Sequence, residues 1–320
     1  MYNTSSVSDF GTLIQLRNVI NRRNVVTDPK ENFNACDDFF TLVVTCHFLA
    51  VVMKNLGMST LDDIPTVGDF TSDSWMMSDD DRKSALYHFC QEIIAEYVHQ
   101  PLNPVLADDI DDKVQEYAKE LMSLGILYLN YKDAIKEGDG GRVLALWKYL
   151  LPIFKASDRR NYSIEILLTL YNCHFVYSPR QVKQVLWSRF INTHGLPGKN
   201  IAADLHMEHL NRLCKEAIKG LGANKTPEAI TRIGNAISPL HSVLESFDNS
   251  VICRTPYQRH KVANSEKDRN KVIAQLCVVF NEHQKRSHSC FPNFQTIFNK
   301  LNKKNLKKWI TEHIKSWQSP

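Results

Sequence analysis

Long stretches of helical periodicity limit the folds open to this sequence more than any other feature. In residues 111–136 and 140–155, for example, apolar residues recur three and four positions apart, as on one face of an α-helix. The strict alternation that half-buried strands require is almost absent, and glycines and prolines fall between the periodic stretches. The sequence therefore predicts an all-α protein, built as an irregular bundle of many helices.

Caps and stop signals place the helix boundaries. Ser78 and the three aspartates after it are typical of a helix start, because a hydroxyl caps free amides and carboxylates favour the positive end of the helix dipole. Gly138 is expected to end one helix, and Pro152 to bend or end the next. Helices are predicted over residues 12–22, 37–56, 78–99, 111–136, 140–155, 162–177, 179–193, 204–220, 226–247, 265–285 and 294–317.

Charge is distributed unevenly along the chain. Residues 251–320 hold 14 Lys and Arg against 4 Asp and Glu, a net charge of +10, whereas the whole chain carries +4. A polar, proline-bearing stretch over 248–264 precedes the helices of this basic end and is expected to act as a hinge. We predict three regions: an N-terminal helical region (1–137), a central helical region (138–247) and a basic C-terminal helical region (248–320).

Composition argues against several classes of protein. The eight cysteines form no Cys-x-x-Cys pair, which favours reduced core thiols over a disulfide framework or a zinc site. No basic segment followed by an apolar run opens the chain, so no secretory signal is expected. The most apolar stretch, 39–53, is shorter than the roughly 20 residues of a membrane-spanning helix and predicts a buried core helix. We expect an intracellular protein, nuclear or cytoplasmic, with no membrane partner.

A loop-to-helix junction at 194–212 carries the densest group of potential ligands. Asp204 and Glu208 are four residues apart, so on a helix both carboxylates share a face and could hold a divalent ion. The alternative is structural, with Asp204 capping the helix and Glu208 pairing with Arg212. His206 and His209 do not have the i,i+4 spacing that places two imidazoles on one zinc ion.

A glycine-rich turn, Gly138-Asp139-Gly140-Gly141, precedes a predicted helix. Free backbone amides at such a turn can bind phosphate, and Lys199 or Asn200 could reach the same anion. The Walker spacing and a preceding strand are both absent, so an acidic turn between two helices is the favoured interpretation.

The basic end alternates lysines with aromatic residues. A helix there could place its lysines on nucleic-acid phosphates, with an affinity that falls as salt rises. The alternative is that its apolar face packs on the protein while the lysines remain solvated. The residues predicted to bind nucleic acid are Lys303, Lys304, Lys307, Lys308 and Trp309.

Several motifs with fixed spacing lie between residues 138 and 224. They include Gly138-Asp-Gly-x-Arg142, Trp187-Ser-Arg-Phe-Ile-Asn192, Gly195-x-Pro-Gly-x-Asn200, Asp204-Leu-His-Met-Glu-His-Leu-Asn-Arg212 and Gly220-Leu-Gly-Ala-Asn224. Together they resemble the domain-of-unknown-function 6589 family, which is widespread in invertebrates and fungi and often lies in transposon-like reading frames. Motifs before and after this region extend the resemblance over nearly the whole chain.

The resemblance implies a transposon-derived protein. Longer members carry two acidic motifs upstream, and these acids followed by a helical glutamate have the order of an RNase H-like transposase, with Glu208 as the last metal ligand and Asp204 beside it. This chain starts at Met1 without those motifs. We therefore expect a truncated, non-catalytic derivative, the helical portion of a larger RNase H-like arrangement whose strands are missing.

Three functional hypotheses follow. The first is a helical protein without cofactors that acts by binding, with DNA as the partner of its basic end. The second is a remnant metal-dependent nuclease or transposase that uses Asp139, Asp204 and Glu208 as catalytic acids, with Mg²⁺ held by Asp204 and Glu208. The third is a helical scaffold for protein partners with no nucleic-acid role.

Overall fold

A computed structural model describes residues 32–68, 70, 77–98, 113–223, 225–251, 265–280 and 300–318. Within these ranges the protein is almost entirely helical, which confirms the all-α prediction. The helix predicted over residues 12–22 lies outside the described residues.

Ten α-helices, one π-helical segment and one short hairpin make up the described part of the chain. In chain order they are α1 (Phe33–Asn55), α2 (Asp79–Tyr97), α3 (Lys113–Glu137), α4 (Gly140–Ala156), α5 (Arg160–Tyr171), the π-helix (Asn172–Val176), α6 (Pro179–Trp187), the strands β1 (Phe190–Ile191) and β2 (Ile201–Ala202), α7 (Ala203–Gly220), α8 (Pro227–Val251), α9 (Ser265–Val279) and α10 (Lys303–Gln318).

Local capping explains where several helices begin. The Ser78 hydroxyl accepts the amide of Asp81 at 3.2 Å, as predicted, with Asp79 to Asp81 in the first turn of α2. Ser178 and Gln181 form a reciprocal capping box at the start of α6, where Pro179 takes the first helical position.

Two predicted helix ends are wrong, whereas the helix predicted over 140–155 is observed and is not ended by Pro152. Helix α4 continues through Pro152 to Ala156, and the burial of Leu151 and Ile153 on either side stabilises the helix across the missing amide. Helix α5 stops at Tyr171, and the bond from the Tyr177 amide to the Asn172 carbonyl, at 2.7 Å, has π-helical spacing. Helix α6 ends at Trp187 instead of 193, because the chain enters β1.

The structure divides into two compact units. Of the described residues, those within 1–130, 146–171 and 261–320 form the first unit, and those within 131–145 and 172–260 form the second. The three ranges predicted from the sequence, 1–137, 138–247 and 248–320, cut the chain elsewhere. The chain passes between the units within α3, within α4 and where α5 meets the π-helix.

Helix α1 lies at the centre of the first unit, where it packs closely on α9. One core cluster joins it to α2 and α3 through Ala50, Val51, Ile93, Tyr97, Ala118, Met122 and Phe280, and a second joins it to α9 through Leu42, Cys46, Met53, Val272 and Ile273. Gly125 lets α3 approach α1, because a Cβ there would lie 2.5 Å from a methyl group of Val44. The Tyr128 hydroxyl also donates to the Asp37 carboxylate, at 2.5 Å.

Helix α1 is also long and apolar enough, by length and composition alone, to cross a membrane. The core helix of a folded domain passes the same test of length and composition. Eight residues of α1 are buried, and the helix contributes residues to both core clusters. Its apolar surface is therefore used in packing.

Six cysteines lie in the described part of the chain, and all six are free thiols. Burial raises the pKa of the Cys277 thiol, and it raises that of Cys173 despite the nearby Arg189 guanidinium, which acts in the opposite direction.

The second unit is built around the β1–β2 hairpin and the α7–α8 pair. Phe190 pairs with Ala202 and Ile191 with Ile201, in antiparallel register. The Ala203 amide then donates to the Arg189 carbonyl at 2.8 Å, so α7 starts directly at the end of the hairpin. Fewer side chains are buried here than in the first unit, and no described residue of α7 is buried.

Candidate functional site

The predicted basic face is formed by helix α10. At about 100° per residue, its five lysines fall within an arc of about 140°. The structure leaves the side chains of all five exposed: Lys303, Lys304, Lys307, Lys308 and Lys315. Lys308 lies 3.9 Å from Glu312 across an exposed i,i+4 pair, which contributes little because water and salt screen it. We call these five lysines the lysine stripe.

The opposite face of α10 packs within the first unit. The Lys155 ammonium lies 5.0 Å from the ring centroid of Trp309, and the His313 ring lies 4.5 Å from the same centroid. Trp317 contacts Tyr171 with ring centroids 5.8 Å apart. The side-chain amide of Gln318 adds a bond to the Tyr171 hydroxyl, at 3.4 Å.

These contacts involve one of the residues that the sequence predicts to bind nucleic acid, Trp309. Trp309 is half-buried and its ring contacts Lys155 and His313, so a base could stack on it only by displacing one of them. The side chains of the lysine stripe are exposed. The contact of Trp309 with Lys155 of α4 could not be read from the sequence, because the two residues are far apart in the chain.

Four of the five lysines in the lysine stripe lie at the N-terminal end of α10, where the helix dipole disfavours basic residues. The Asn302 side chain caps α10 by accepting the amides of Lys304 and Asn305, at 3.0 and 3.1 Å. No acidic residue lies in the first turn, and four of the lysines occupy the first two turns. Because the helix dipole is positive at this end, these lysines destabilise the helix slightly and strengthen its attraction for anions.

A tight corner between α3 and α4 brings two of the sequence motifs together. Gly138 ends α3 with a φ of 72°, and the Asn200 amide nitrogen donates to the Lys136 carbonyl at 2.8 Å. A Cβ at Gly138 would lie 3.1 Å from the Asn200 side chain, and one at Gly140 would lie 2.8 Å from that of Leu186. We call this arrangement the Gly138 corner. Asn200, predicted as a possible phosphate ligand, here caps α3.

Asp139 occupies the start of α4 within the Gly138 corner. Its carboxylate accepts the Arg142 amide at 2.9 Å and lies 3.4 Å from the Arg142 guanidinium. Arg142 also pairs with Asp133 at 2.6 Å. The structure thus has the acidic helix-to-helix turn that the sequence favoured, and Asp139 caps a helix and pairs with Arg142 there.

Asp204 and Glu208 lie in the first two turns of α7, and both are exposed. The structural alternative was wrong in two details. Ala202, and not Asp204, precedes the helix, because the hairpin leads straight into it; the Asp204 carboxylate accepts the next amide, that of Leu205, at 2.8 Å. Arg212 pairs with Glu216 at 4.0 Å instead of with Glu208.

The described residues contain no group of three or more His, Cys, Asp or Glu side chains that could hold a metal ion. Asp139, Asp204 and Glu208 therefore do not form one three-acid cluster. The pairing of Asp204 with Glu208 around Mg²⁺, and the catalytic role of the three acids, stay predictions.

The sequence profile of a Family of unknown function (DUF6589) matches residues 1–260. The chain belongs to this family. The Gly138 corner and the β1–β2 hairpin lie inside the DUF6589 match, whereas the lysine stripe lies beyond its end. No curated protein and no solved structure matches the chain.

Proposed function

We propose that this DUF6589 member acts by binding and not by catalysis, and that the lysine stripe of α10 binds DNA. A transposon-derived origin, which the motif resemblance implies, and a nuclear location, one of the two intracellular locations expected from the sequence, are parts of the same proposal. The observation that carries it is the segregation of α10 into two faces, with exposed lysines on one and packed aromatic residues on the other.

The arrangement of charge supports binding to a polyanion. Five like charges on one side of a short helix repel one another, and four of them oppose the helix dipole. A phosphate backbone relieves both costs, since each lysine that contacts a phosphate releases a condensed counterion. Lysines scattered around the helix would not give this concentration of charge.

The test is a salt titration of DNA binding by the full chain. We expect log K to fall linearly with log salt for duplex DNA, with a slope of about −0.9 per lysine that contacts a phosphate. Replacing Lys303, Lys304, Lys307 and Lys308 with Gln should weaken binding and make that slope shallower.

A matched control removes the same charge elsewhere. Gln in place of four other exposed lysines, Lys148, Lys215, Lys219 and Lys225, should leave the slope near its original value. The proposal fails if the chain does not bind DNA at low salt, or if the two quadruple variants bind alike.

The helical scaffold remains the second candidate, and one observation favours it. The apolar face of α10 is already used inside the first unit, so α10 also serves the fold. Absence of DNA binding together with an intact α10 would support the scaffold.

A further inference from the structure

The surface of α6 points to a second contact that is independent of the lysine stripe. Arg180, Lys183 and Trp187 are three and four residues apart, so they share one face of the helix. All three are exposed, whereas Leu186 is buried and Val182 and Val185 are half-buried. Helix α6 therefore packs through its aliphatic side and presents two cations and an indole to solvent.

Trp187 is the unusual member of this face. Its side chain is 68% exposed, although Trp is among the residues whose burial stabilises a fold most. Among the described residues it makes no hydrogen bond, ring contact or cation–π contact. Trp is enriched among the few residues that carry most of the binding energy at interfaces, so an exposed indole beside two cations marks a candidate binding surface.

The charge of the surrounding segment identifies the kind of partner. Residues 166–203 contain no Asp or Glu, although the whole chain has 35. The same stretch contains Arg180, Lys183, Arg189 and Lys199. At the Gly138 corner in the same unit, Asp133 and Asp139 pair with Arg142. One carboxylate from another element lies beside the segment, since the exposed Glu137 would be 3.3 Å from a Cβ at Gly198. The segment itself offers an anionic partner four basic side chains and no acidic side chain of its own.

We propose that this face of α6 binds single-stranded nucleic acid, with a base stacked on the Trp187 indole and neighbouring phosphates on Arg180 and Lys183. A single strand offers both chemistries at once, because its bases are free to stack and its phosphates are regularly spaced. Duplex DNA keeps its bases stacked inside the helix and offers only phosphates. The proposal does not rest on the lysine stripe, which belongs to the other compact unit.

The first test uses the full chain and labelled oligothymidylate of about 12 nucleotides, within the range of single-strand sites on small domains. Trp187→Leu should weaken binding roughly 5- to 150-fold, the range that one stacked base contributes, and Trp187→Phe should restore much of the lost affinity. Tyr87→Leu is the matched control: Tyr87 is 63% exposed, but its helix opens with three aspartates. It should bind as the wild type does.

A second measurement separates stacking from charge. On an abasic strand of the same length, Trp187→Leu should change nothing, because no base remains to stack. The double variant Arg180→Gln, Lys183→Gln should make the salt slope for the single strand shallower by about 0.7 for each lost phosphate contact.

Three outcomes would overturn the proposal. One is that the wild type and Trp187→Leu bind oligothymidylate equally, while circular dichroism shows that both proteins are folded. Another is that Trp187→Leu loses as much affinity for the abasic strand as it does for oligothymidylate. The third is full competition by an acidic peptide together with equal binding by the Phe and Leu variants, which would assign the surface to a protein partner. If only the α10 quadruple variant loses affinity for oligothymidylate, this proposal fails and the proposed function stands. If the α6 variants lose affinity for oligothymidylate while the α10 quadruple variant binds duplex DNA like its matched control, the proposed function fails and this proposal stands.

Discussion

His47 is a buried titratable residue in the core of the first unit. Its ring is 6% exposed, lies edge-on to Phe280, and has Nδ1 2.8 Å from the Val43 carbonyl, to which it donates as the neutral Nδ1–H tautomer. Burial lowers the pKa of the ring below its usual 6.5, and the bond to Val43 opposes this only in part. The fold therefore favours the neutral form of His47.

This predicts a loss of stability in acid. Because the unfolded chain takes up the His47 proton near pH 6.5 and the folded chain only at lower pH, the free energy of unfolding should be full above pH 6.5 and fall as the pH drops through the folded pKa. His47→Gln removes the titration, so its stability should fall less over the same interval. Urea unfolding of both proteins at a series of pH values measures the difference, and parallel curves would contradict the prediction.

Gly140 and its neighbour Gly141 allow a second prediction at single residues. A Cβ at Gly140 would lie 2.8 Å from the Leu186 Cβ and 3.0 Å from its carbonyl oxygen, whereas one at Gly141 would meet only the Asp139 carboxylate at 3.5 Å. Gly140→Ala should lower the free energy of unfolding by about 1–3 kcal/mol through overpacking.

Gly141→Ala serves as the control for that substitution. Ala is favoured over Gly in a helix by up to about 1 kcal/mol, so this variant should be neutral or more stable. Urea denaturation followed by circular dichroism compares the two, and equal midpoints would show that α4 and Leu186 are not packed as tightly as the structure indicates.

At the scale of elements, α10 combines poor helix electrostatics with a predicted binding role. Replacing Lys303 and Lys304 with Glu puts carboxylates at the positive end of the dipole and four residues before Lys307 and Lys308. Each change should stabilise α10 by about 0.3–1 kcal/mol while it weakens DNA binding. Lys315→Glu, in the last turn, should destabilise the helix.

Amide hydrogen exchange of α10 and DNA affinity, measured on the same variants, test this opposition. If stability and affinity rise together in the Lys303 and Lys304 variant, the stripe does not contact phosphate. If Lys315→Glu protects α10 as well as the double variant does, the helix dipole does not set its stability.

The elements also show what the sequence could and could not predict. Local signals were sufficient for the starts of α2 and α6 and for the end of α3 at Gly138, because caps and positive φ act within a few residues. The Gly138 corner could not be predicted from local signals, because the hydrogen bond from Asn200 to the Lys136 carbonyl joins residues that are 64 positions apart. The early end of α6 was missed for the same reason: its cause is pairing with β2.

At the scale of the whole molecule, the two compact units differ in how much they bury. The first contains two clusters of buried apolar residues, each including part of α1. In the second, Leu205, Met207 and Leu210 of α7 are all exposed, and no described residue of that helix is buried. Local stability follows buried apolar contact, so the units should open with different free energies.

Native-state hydrogen exchange followed by mass spectrometry would measure those energies helix by helix. We expect amides of α7 to exchange through openings that cost less than those of α1 and α9, and mild urea to speed α7 before it affects α1. Val51→Ala truncates a buried side chain of the first unit's core. It should lower the opening free energy of α1 by about 1–3 kcal/mol and leave the opening free energy of α7 unchanged. Equal protection of α1 and α7 in the wild-type chain, or an equal response of both helices to this substitution, would mean that the two units unfold as one.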